Sequence, residues 1–404
     1  MADTFDRFFS NSSQLMKKSA IREILKLTQK PEMISFAGGL PSPDSFPIED
    51  IKRICSEVLD EEGPAALQYG TTEGDNKLRS LLVERHKKDG LKLTINNIVI
   101  TTGSQQALDL VGKIFINPGD VVLCGLPSYL GGLNAFSVYG ARLKGIPLDD
   151  QGMRPDLLEK SIIKLKEESS VVKFIYIIPD FQNPTGVTLP LSRRLEIIRI
   201  AERYDLIIVE DSPYRDVRFE GTTQPLMSSL DTSGRVITLS TFSKILAPGF
   251  RLAWVVGHPE LIDKIVTAKQ SADLCSPAFV QKITARYMEQ GLLDVNLRKT
   301  VALYRERRDH MLRCFREFMP EGVKWTEPEG GLFLFVTLPP SMDAARLLER
   351  AIKKNVAFVC GSVFYCNSEG QNTMRINFSF SGPEATCKGV SRLAEAIREE
   401  MESI

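Results

Sequence analysis

Short apolar runs alternate with longer amphipathic stretches through the middle of this chain. The runs are continuous and rich in valine and isoleucine, which predicts strands buried on both faces of a mainly parallel sheet. Between them, segments 104–115 and 192–205 have the apolar spacing of helices. Strand, helix and strand in repetition predict a wound α/β domain. The apolar runs cover residues 98–102, 120–124, 173–179, 206–210 and 235–240.

The rhythm of the pattern changes in the last third of the chain. A long charged helix is predicted from about residue 290, and three short strand-like runs follow it at 330–339, 357–364 and 373–380. Short strands with helices between them predict a smaller α+β domain that closes on the first.

A helical pattern at 20–28 precedes a loop rich in Gly, Pro and Ser at 35–47. These changes of pattern divide the chain into three parts. We expect an N-terminal arm and helix that pack with the small domain over residues 1–47, a large domain over 48–288, and a small C-terminal domain over 289–404.

The charge balance argues against two classes of partner. The 404 residues include 51 basic and 51 acidic side chains, so the formal net charge is zero. Proteins that neutralise nucleic-acid phosphates normally have a basic excess, so no nucleic-acid partner is expected. No apolar run reaches the roughly 18 residues of a membrane span. The N-terminus, with Asp3 and Asp6, lacks the apolar core of a secretory signal, so we expect a cytoplasmic protein with no membrane partner.

Cysteine and histidine offer little material for catalysis. The seven cysteines are scattered and include no Cys-x-x-Cys pair, which fits reduced thiols in the cytosol. The three histidines, His86, His258 and His310, are isolated from one another, so no metal site is expected. The chemistry must therefore depend on other groups.

Polar side chains follow the apolar runs, where ligands bind in wound α/β sheets. After the run at 98–102, Ser104 and Gln105 open a helix whose free N–H groups suit a phosphate. The three later runs deliver an amide, a carboxylate and an amine toward the same rim, from Asn183, Asp211 and Lys244.

These groups meet the needs of pyridoxal 5′-phosphate. That cofactor requires a lysine for a Schiff base and a carboxylate that keeps its pyridine nitrogen protonated, which Lys244 and Asp211 can supply. Asn183 and Tyr214 can donate to the phenolic oxygen. A charge-assisted arginine contact and several hydroxyls suit the phosphate. The phosphate candidates are Ser104, Gln105, Thr241, Ser243 and Arg251.

Five motifs in this order resemble the fold-type-I pyridoxal-phosphate-dependent aminotransferases of class I/II. They are GSQQALDL, the Asn-Pro-Thr-Gly at 183–186, EDSPY, STFSKILAPGFR and MRINFSF. Two further stretches, FAGGLPSPDSFP and LQYGTTEG, resemble the branch that contains 2-aminoadipate, kynurenine and broad-specificity aromatic or branched-chain aminotransferases. The likeness covers nearly the whole chain, and it implies an α/β fold with a large wound domain and a smaller α+β domain.

The resemblance also implies roles for single residues. Lys244 matches the Schiff-base lysine, which also moves the proton between Cα and C4′. Asp211 and Tyr214 match the other catalytic residues beside the cofactor. Tyr129 matches the aromatic side chain that stacks on the pyridine face. Tyr69 matches a tyrosine that reaches the partner subunit's cofactor and substrate site, which implies a homodimer.

Three positions match substrate contacts in the family. Arg375 corresponds to the arginine that binds the substrate α-carboxylate, with Asn183 beside it. Gly39 corresponds to a backbone position that lines the substrate pocket, and Arg22 to an arginine that meets acidic side chains in some relatives. One position departs from the family: relatives commonly have a second aspartate where this chain has Ser212, which removes a carboxylate near the expected site.

The implied activity is transamination by a ping-pong mechanism. An L-amino acid of the 2-aminoadipate, aromatic or branched-chain type would give its amino group to a 2-oxo acid, with 2-oxoglutarate expected. The cofactor motifs leave open a β-lyase or decarboxylase on the same scaffold. A non-catalytic regulator is a third alternative, although related regulators carry an added DNA-binding segment and only about twenty residues precede the likeness here.

Overall fold

The computed structural model describes residues 5–16, 18, 22–24 and 32–403. Of the helix predicted over 20–28, residues 22–24 are described and are helical, and the rest lies outside the described residues.

The strands and helices of the described residues are labelled in chain order. The strands are β1 (Ile34–Ser35), β2 (Ile98–Thr101), β3 (Val121–Leu126), β4 (Arg142–Asp149), β5 (Gly152–Met153), β6 (Val172–Ile177), β7 (Ile207–Asp211), β8 (Val236–Thr241), β9 (Ala253–Val256), β10 (Lys324–Trp325), β11 (Phe333–Thr337), β12 (Val356–Ala357), β13 (Val359–Cys360) and β14 (Thr373–Asn377). The helices are α1 (Asn11–Gln14), α2 (Ile48–Ala66), α3 (Asn76–Lys87), α4 (Ser104–Phe115), α5 (Leu130–Ser137), α6 (Pro155–Glu167), α7 (Leu191–Tyr204), α8 (Met227–Leu230), α9 (Pro259–Gln270), α10 (Ala278–Glu289), α11 (Leu292–Phe318), α12 (Ala344–Lys353) and α13 (Pro383–Glu402).

Within the described residues, eight strands form a central sheet in the order β2-β9-β8-β7-β6-β3-β4-β5. The pairs from β8 through β7, β6 and β3 to β4 are parallel. The strands β2, β9 and β5 join it in antiparallel pairs. This arrangement confirms the α/β fold with a mainly parallel wound sheet.

Apolar runs form the middle strands because both faces of the sheet are covered. In β6, Phe174 and Tyr176 pack into one core layer with Phe136 of α5. Their neighbour Ile175 points the opposite way and packs with Ile197 of α7. A strand covered on both sides gains from burying every side chain, which accounts for the lack of alternation in the sequence.

A smaller antiparallel sheet has the order β10-β11-β14-β13. The N-terminal segment joins this region, because β1 pairs in parallel with β12. Beyond β1, the Phe36 N–H donates to the Ala357 carbonyl at 2.8 Å and the Asn377 N–H donates to the Phe36 carbonyl at 2.9 Å. Residues 34–36 are thus held by the part of the chain beyond residue 320. The boundaries given for the three domains remain a prediction.

The strands β4 and β9 were not among the apolar runs. In β4, exposed and partly buried residues alternate from Arg142 to Gly145, because this strand lies near the edge of the sheet, whereas Ile146 is buried in the core. In β9, the run AWVV begins two residues after Arg251, directly beyond the cofactor motif STFSKILAPGFR. None of the helices in the described part of the chain has the length and apolar character needed to cross a bilayer.

Candidate active site

A cavity of about 440 Å³ opens at the carboxyl ends of the central strands, which is within the usual range for a small-ligand site. It lies where Ser104 follows β2 and where Asp211 and Thr241 end β7 and β8. All but one of the residues that the sequence nominated line this cavity. They are Arg22, Gly39, Ser104, Gln105, Tyr129, Asn183, Asp211, Tyr214, Thr241, Ser243, Lys244, Arg251 and Arg375.

One corner of the cavity is built from the start of α4 and from Arg251. Gly103, just before the helix, has a φ of 82°, and a Cβ there would lie 2.3 Å from Nη2 of Arg251. Only glycine therefore lets the guanidinium approach the helix start. The hydroxyl of Ser104 is buried and has no hydrogen-bond partner among the described residues. This corner combines free helix N–H groups, a hydroxyl and a positive charge, which suits a phosphate.

Two more hydroxyls follow β8 at the same corner. Thr241 Oγ1 donates to Ser243 Oγ at 3.0 Å, and the Ser243 N–H donates to Thr241 Oγ1 at 3.1 Å. Both residues are buried. Gln105, by contrast, is exposed and its side chain donates to the Gly131 carbonyl at 2.9 Å, so it borders the corner from outside.

Asp211, at the end of β7, is buried with its two carboxylate oxygens in different surroundings. Oδ2 accepts a hydrogen bond from the Tyr176 hydroxyl at 2.8 Å. Oδ1 is buried and has no partner within the described residues. Burial raises the pKa of Asp211 to about 6, and the Tyr176 hydrogen bond acts in the opposite direction. An unpaired carboxylate oxygen in a cavity is costly unless a ligand pairs with it.

Lys244 presents an amine to the cavity, and no carboxylate of the described residues pairs with it. Its Nζ donates to the carbonyl oxygen of Gly39 at 2.9 Å. Burial, together with the positive charges of Arg375 and Arg251, lowers the pKa of Lys244 to about 8. Lys269 shows the ordinary alternative, because its fully buried amine is paired with Asp273 at 2.6 Å. The amine of Lys244 therefore loses its proton more readily than that of a solvated lysine, and only the neutral amine is a nucleophile.

Asn183 connects two other cavity residues. Its Nδ2 donates to the Tyr214 hydroxyl at 3.4 Å, and its Oδ1 accepts from Nη1 of Arg375 at 2.9 Å. Arg375 comes from β14 of the small sheet, and its Nη2 donates to the carbonyl of Ala37 at 2.8 Å. The bound carbonyl belongs to the N-terminal segment, so three separate parts of the chain meet at this guanidinium.

Arg375 is almost fully buried, and it has no carboxylate partner in the described part of the chain. Burial lowers its pKa to about 10, while the neighbouring Tyr214 and Tyr129 raise it. The guanidinium lies 4.2 Å from the ring centroid of Phe333 and 5.1 Å from that of Phe364, so aromatic faces stabilise part of its charge. Its Nε has no hydrogen-bond partner in the described structure. A planar cation held in this way is ready to accept a carboxylate.

The remaining cavity residues border the opening and one wall. Tyr129, the residue before α5, has its pKa raised by burial and by Asp211, and Arg22 is near enough to lower it again. Arg22 is exposed and stands at the cavity mouth. Gly39 is partly buried, and a Cβ there would lie 3.2 Å from the Phe333 ring.

Two residues lie away from this cavity. Tyr69 does not line it, and 80 % of its surface is exposed. Ser212 faces a separate small cavity bordered by Arg85 and Arg215, and its buried hydroxyl has no partner within the described residues. The sequence analysis placed Ser212 near the site, but consecutive residues at the end of a strand point to opposite sides, and Asp211 takes the cavity side.

The chain matches the model of the family described as aminotransferase class I and II over residues 31–397. It is 48% identical to the aromatic-amino-acid aminotransferase 1 of Thermococcus litoralis over 98% of this chain and 95% of that protein. It is 39% identical to the 2-aminoadipate transaminase of Thermus thermophilus over 96% of each. The chain belongs to the class I and II aminotransferases.

A solved relative also defines the cofactor. The chain is similar to Pyrococcus horikoshii kynurenine aminotransferase, with a TM-score of 0.95 and 47% identity over 99% of each chain. That structure was solved in complex with PMP (pyridoxamine phosphate) and with kynurenine as substrate. This aminotransferase is therefore a pyridoxal-phosphate enzyme that moves an amino group between an amino acid and a 2-oxo acid. The family, the fold and the cofactor expected from the sequence are confirmed.

The residues of the cavity fit that cofactor. Four basic side chains and one carboxylate line it among the described residues, which suits a ligand that bears a dianionic phosphate and one protonated nitrogen. The unpaired atoms fit too, since Asp211 Oδ1 can accept from the nitrogen and Ser104 Oγ can donate to the phosphate. The aminotransferase thus has an acceptor for the ring nitrogen and a donor for the phosphate among the residues that line the cavity.

Sequence reasoning missed several residues of this aminotransferase site. Phe333 lies in the apolar stretch GGLFLF, which was interpreted only as a strand, yet its ring stacks under Arg375. Tyr176 is one tyrosine in a continuous apolar run, and nothing in that run distinguishes it from a core residue. The other missed residues that line the cavity are Leu130, Gly131, Asn134, Ile178, Pro213 and Pro248.

Proposed function

We propose that Lys244 is the residue that links the cofactor covalently and moves the substrate proton. Pyridoxal 5′-phosphate, when bound, supplies an aldehyde carbon for amines and a ring that stabilises negative charge on the substrate α-carbon. Lys244 supports this role with a pKa lowered to about 8, chiefly by burial. Near neutral pH it can both hold a proton and give it up, as a general acid and base must.

Asp211 holds the ring nitrogen in this proposal. The single observation that carries the proposal concerns Oδ1 of Asp211, which is buried on the cavity side of the sheet and has no partner among the residues that the structure describes. A carboxylate in that setting stabilises a protonated ring nitrogen by a charge-assisted hydrogen bond. Contact with a cation also returns Asp211 to the ionised form that burial disfavours.

The phosphate is held in the corner at the start of α4. Ser104, Thr241 and Ser243 supply hydroxyls, and Arg251 supplies a planar cation. Gln105, on the outer side, closes this corner through its contact with the Gly131 carbonyl. The helix N–H groups add the partial positive charge that favours a dianion.

The ring and the phenolic oxygen have their own contacts. Tyr214 and Asn183, which already share a hydrogen bond, can both donate to the phenolic oxygen. Tyr129 lies on the wall formed at the start of α5, where its ring can cover one face of the cofactor. These contacts exclude water and fix the orientation of the reacting carbon.

The substrate α-carboxylate binds Arg375 in this proposal. Its Nε has no partner among the described residues, and its neutral hydrogen-bond partners and aromatic neighbours also favour an incoming anion. Gly39 borders the same space, and its carbonyl accepts from Nζ of Lys244 at 2.9 Å. A planar two-nitrogen contact fixes the direction of the carboxylate, which a lysine cannot do.

The donor class is proposed from Arg22 together with the relatives. Relatives that act on aromatic amino acids and on 2-aminoadipate share over a third of this sequence. Arg22, exposed at the mouth, can pair with the distal carboxylate of an acidic donor or turn to solvent when the side chain is apolar. We therefore propose 2-aminoadipate and aromatic or branched-chain amino acids as donors, with 2-oxoglutarate as acceptor.

A homodimer with shared active sites completes the proposal. Tyr69 contributes nothing to the cavity of its own chain and is 80 % exposed, and the nearby Leu67 is 73 % exposed. The segment that carries them packs beside α10, where a Cβ on Gly70 would lie 3.8 Å from Ala278. Exposed large side chains in a cluster mark an interaction surface. We assign this surface to a second copy of this chain.

We also propose a cytoplasmic location, which the free cysteines fit.

Single-turnover and steady-state measurements test this function. The wild-type enzyme mixed with excess 2-aminoadipate should convert its bound cofactor to pyridoxamine phosphate without further reagent, and 2-oxoglutarate should restore it. Steady release of CO₂ or pyruvate would instead point to a decarboxylase or a β-lyase. Among donors compared by kcat/KM, Arg22→Ala should weaken 2-aminoadipate and glutamate about tenfold more than leucine and phenylalanine. An equal loss for all donors would remove Arg22 from the proposal.

A further inference from the structure

Tyr176 stands directly behind Asp211 in the central sheet. It lies in β6 beside Val209 of β7, two residues before Asp211. Its side chain is fully buried, and its ring contacts that of Phe136 edge-on at 5.2 Å between centroids. The hydroxyl donates to Oδ2 of Asp211 at 2.8 Å. The strand pairing and the aromatic packing therefore fix where this hydroxyl points.

The two carboxylate oxygens of Asp211 therefore have different hydrogen-bonding surroundings. Oδ2 is held by Tyr176, and Oδ1, on the cavity side, has no partner in the described part of the chain. A carboxylate with one oxygen anchored cannot turn freely about its side-chain bonds, so the free oxygen keeps its direction. Without the anchor, both oxygens could turn toward other donors.

The hydrogen bond also favours the ionised carboxylate. Burial raises the pKa of Asp211, whereas the donated hydrogen bond lowers it. The other titratable groups that face Asp211 are the hydroxyls of Tyr129 and Tyr214, both with pKa values raised chiefly by burial. Lys244 and Arg375 line the same cavity. Loss of the Tyr176 hydroxyl would raise the pKa of Asp211 further, so the carboxylate would need a higher pH to ionise.

The neighbouring helix leaves room for this arrangement. Gly132, in the first turn of α5, is buried against the Tyr176 ring. A Cβ on Gly132 would lie 2.8 Å from both Cζ and Oη of Tyr176. Real Cβ atoms do not come so close, so any larger residue at 132 would push the hydroxyl away from Asp211.

We propose that Tyr176 is a positioning residue for Asp211 and, through Asp211, for the ring nitrogen of the cofactor. This assignment rests on the function proposed above and adds a residue that touches neither cofactor nor substrate. Its contribution is to aim one carboxylate oxygen into the cavity and to keep it charged near neutral pH.

Binding of pyridoxamine 5′-phosphate to the cofactor-free protein tests the assignment. This ligand has the same ring nitrogen but forms no covalent link with Lys244, so its Kd reports the non-covalent contacts alone. Tyr176→Phe removes only the hydroxyl and should weaken binding about tenfold at pH 7.5. As the pH is lowered, the affinity of both proteins should fall, and the fall should begin at a higher pH in Tyr176→Phe than in the wild type. A spectral titration of each protein with pyridoxamine 5′-phosphate measures both the Kd and its pH dependence. The titration is repeated between about pH 5.5 and about pH 8.5, which spans roughly one and a half units on each side of neutrality.

Two further variants make the result specific. Tyr304→Phe removes another buried hydroxyl, which does not line the cavity and accepts a hydrogen bond from the Ser42 N–H at 2.9 Å. The Kd of this variant for pyridoxamine 5′-phosphate should equal that of the wild type. Gly132→Ala should weaken binding in the same direction as Tyr176→Phe, and it decides the question if Tyr176→Phe fails to fold. Wild-type affinity and pH dependence in Tyr176→Phe would overturn the assignment of Tyr176 alone. Failure of the wild-type protein itself to bind would overturn the proposed function as well.

Discussion

Arg375 and Asn183 are 192 positions apart in the sequence, yet Nη1 of the arginine donates to Oδ1 of the asparagine at 2.9 Å. The arginine belongs to β14 of the small sheet, and the asparagine follows β6 of the central sheet. This contact joins the two sheets at the cavity. It also leaves the guanidinium with only neutral partners among the described residues, so a carboxylate that arrives there replaces weak interactions by a strong one.

Replacing Arg375 tests this relationship. Arg375→Lys keeps a positive charge but loses the planar pair of donors, so kcat/KM should fall about a hundredfold for the amino acid and for the 2-oxo acid alike. Arg308→Lys is a matched control, because Arg308 is also a buried arginine beside an aromatic ring but is paired with Glu220 and Asp309 outside the cavity. That variant should keep both kcat/KM values. A loss confined to one of the two substrates would contradict a shared carboxylate site.

Asp211 should stabilise the cofactor-bound enzyme at the expense of the cofactor-free one. Because burial raises its pKa from 3.8 to about 6, ionising it in the empty cavity costs folding free energy. The cost is absent below about pH 4, grows as the pH rises through 6, and reaches about 2–3 kcal/mol above that. Cofactor-free Asp211→Asn should therefore be more stable than the wild type at pH 7.5, with the difference closing near pH 4.

Urea denaturation of the cofactor-free proteins at several pH values measures this difference. The same variant should bind the cofactor more weakly and lose at least a thousandfold in kcat, because a neutral amide does not keep the ring nitrogen protonated. A stability difference that does not change with pH would show that Asp211 is not the group that titrates.

Tyr69 should act in the partner's active site, and subunit mixing tests this directly. Tyr69→Ala and Lys244→Ala should each have little activity alone. In a hybrid dimer, the site that retains Lys244 receives Tyr69 from the other subunit and is intact. Unfolding and refolding the two variants together should restore up to about a quarter of wild-type activity, since half the dimers are hybrids with one good site each. Activity no greater than the sum of the two variants would contradict shared sites.

Most of the residues that line the cavity could be named from the sequence. Lys244, Asp211 and Asn183 each follow a buried apolar run, and the carboxyl ends of neighbouring parallel strands meet at one rim. That single rule brought together residues far apart in the chain. The position of Arg375 could be expected only from the family resemblance, because no local pattern connects the small sheet with the cavity.

What could not be predicted depends on contacts between distant elements. Tyr176 lies in a continuous apolar run, where tyrosine has no distinguishing signal, and only the register of β6 against β7 places its hydroxyl beside Asp211. The orientation of Ser212 also depends on the strand, since Asp211 and Ser212 differ by one residue and face opposite sides. The order of the strands in the central sheet depends on how the connections cross over between strands. The pattern of apolar residues carries no information on these crossovers.

Identifying the lysine that carries the cofactor tests the central proposal most directly. The enzyme loaded with pyridoxal 5′-phosphate would be reduced with borohydride, digested, and mapped by mass spectrometry, with Lys269→Arg as a control at a second buried lysine that is paired with Asp273. We predict that the added mass is found on Lys244 in the wild type and in Lys269→Arg. Lys244→Ala should show neither the added mass nor the visible absorption band. A visible band that persists in Lys244→Ala, or a mass found on a different lysine of the wild type, would contradict the account.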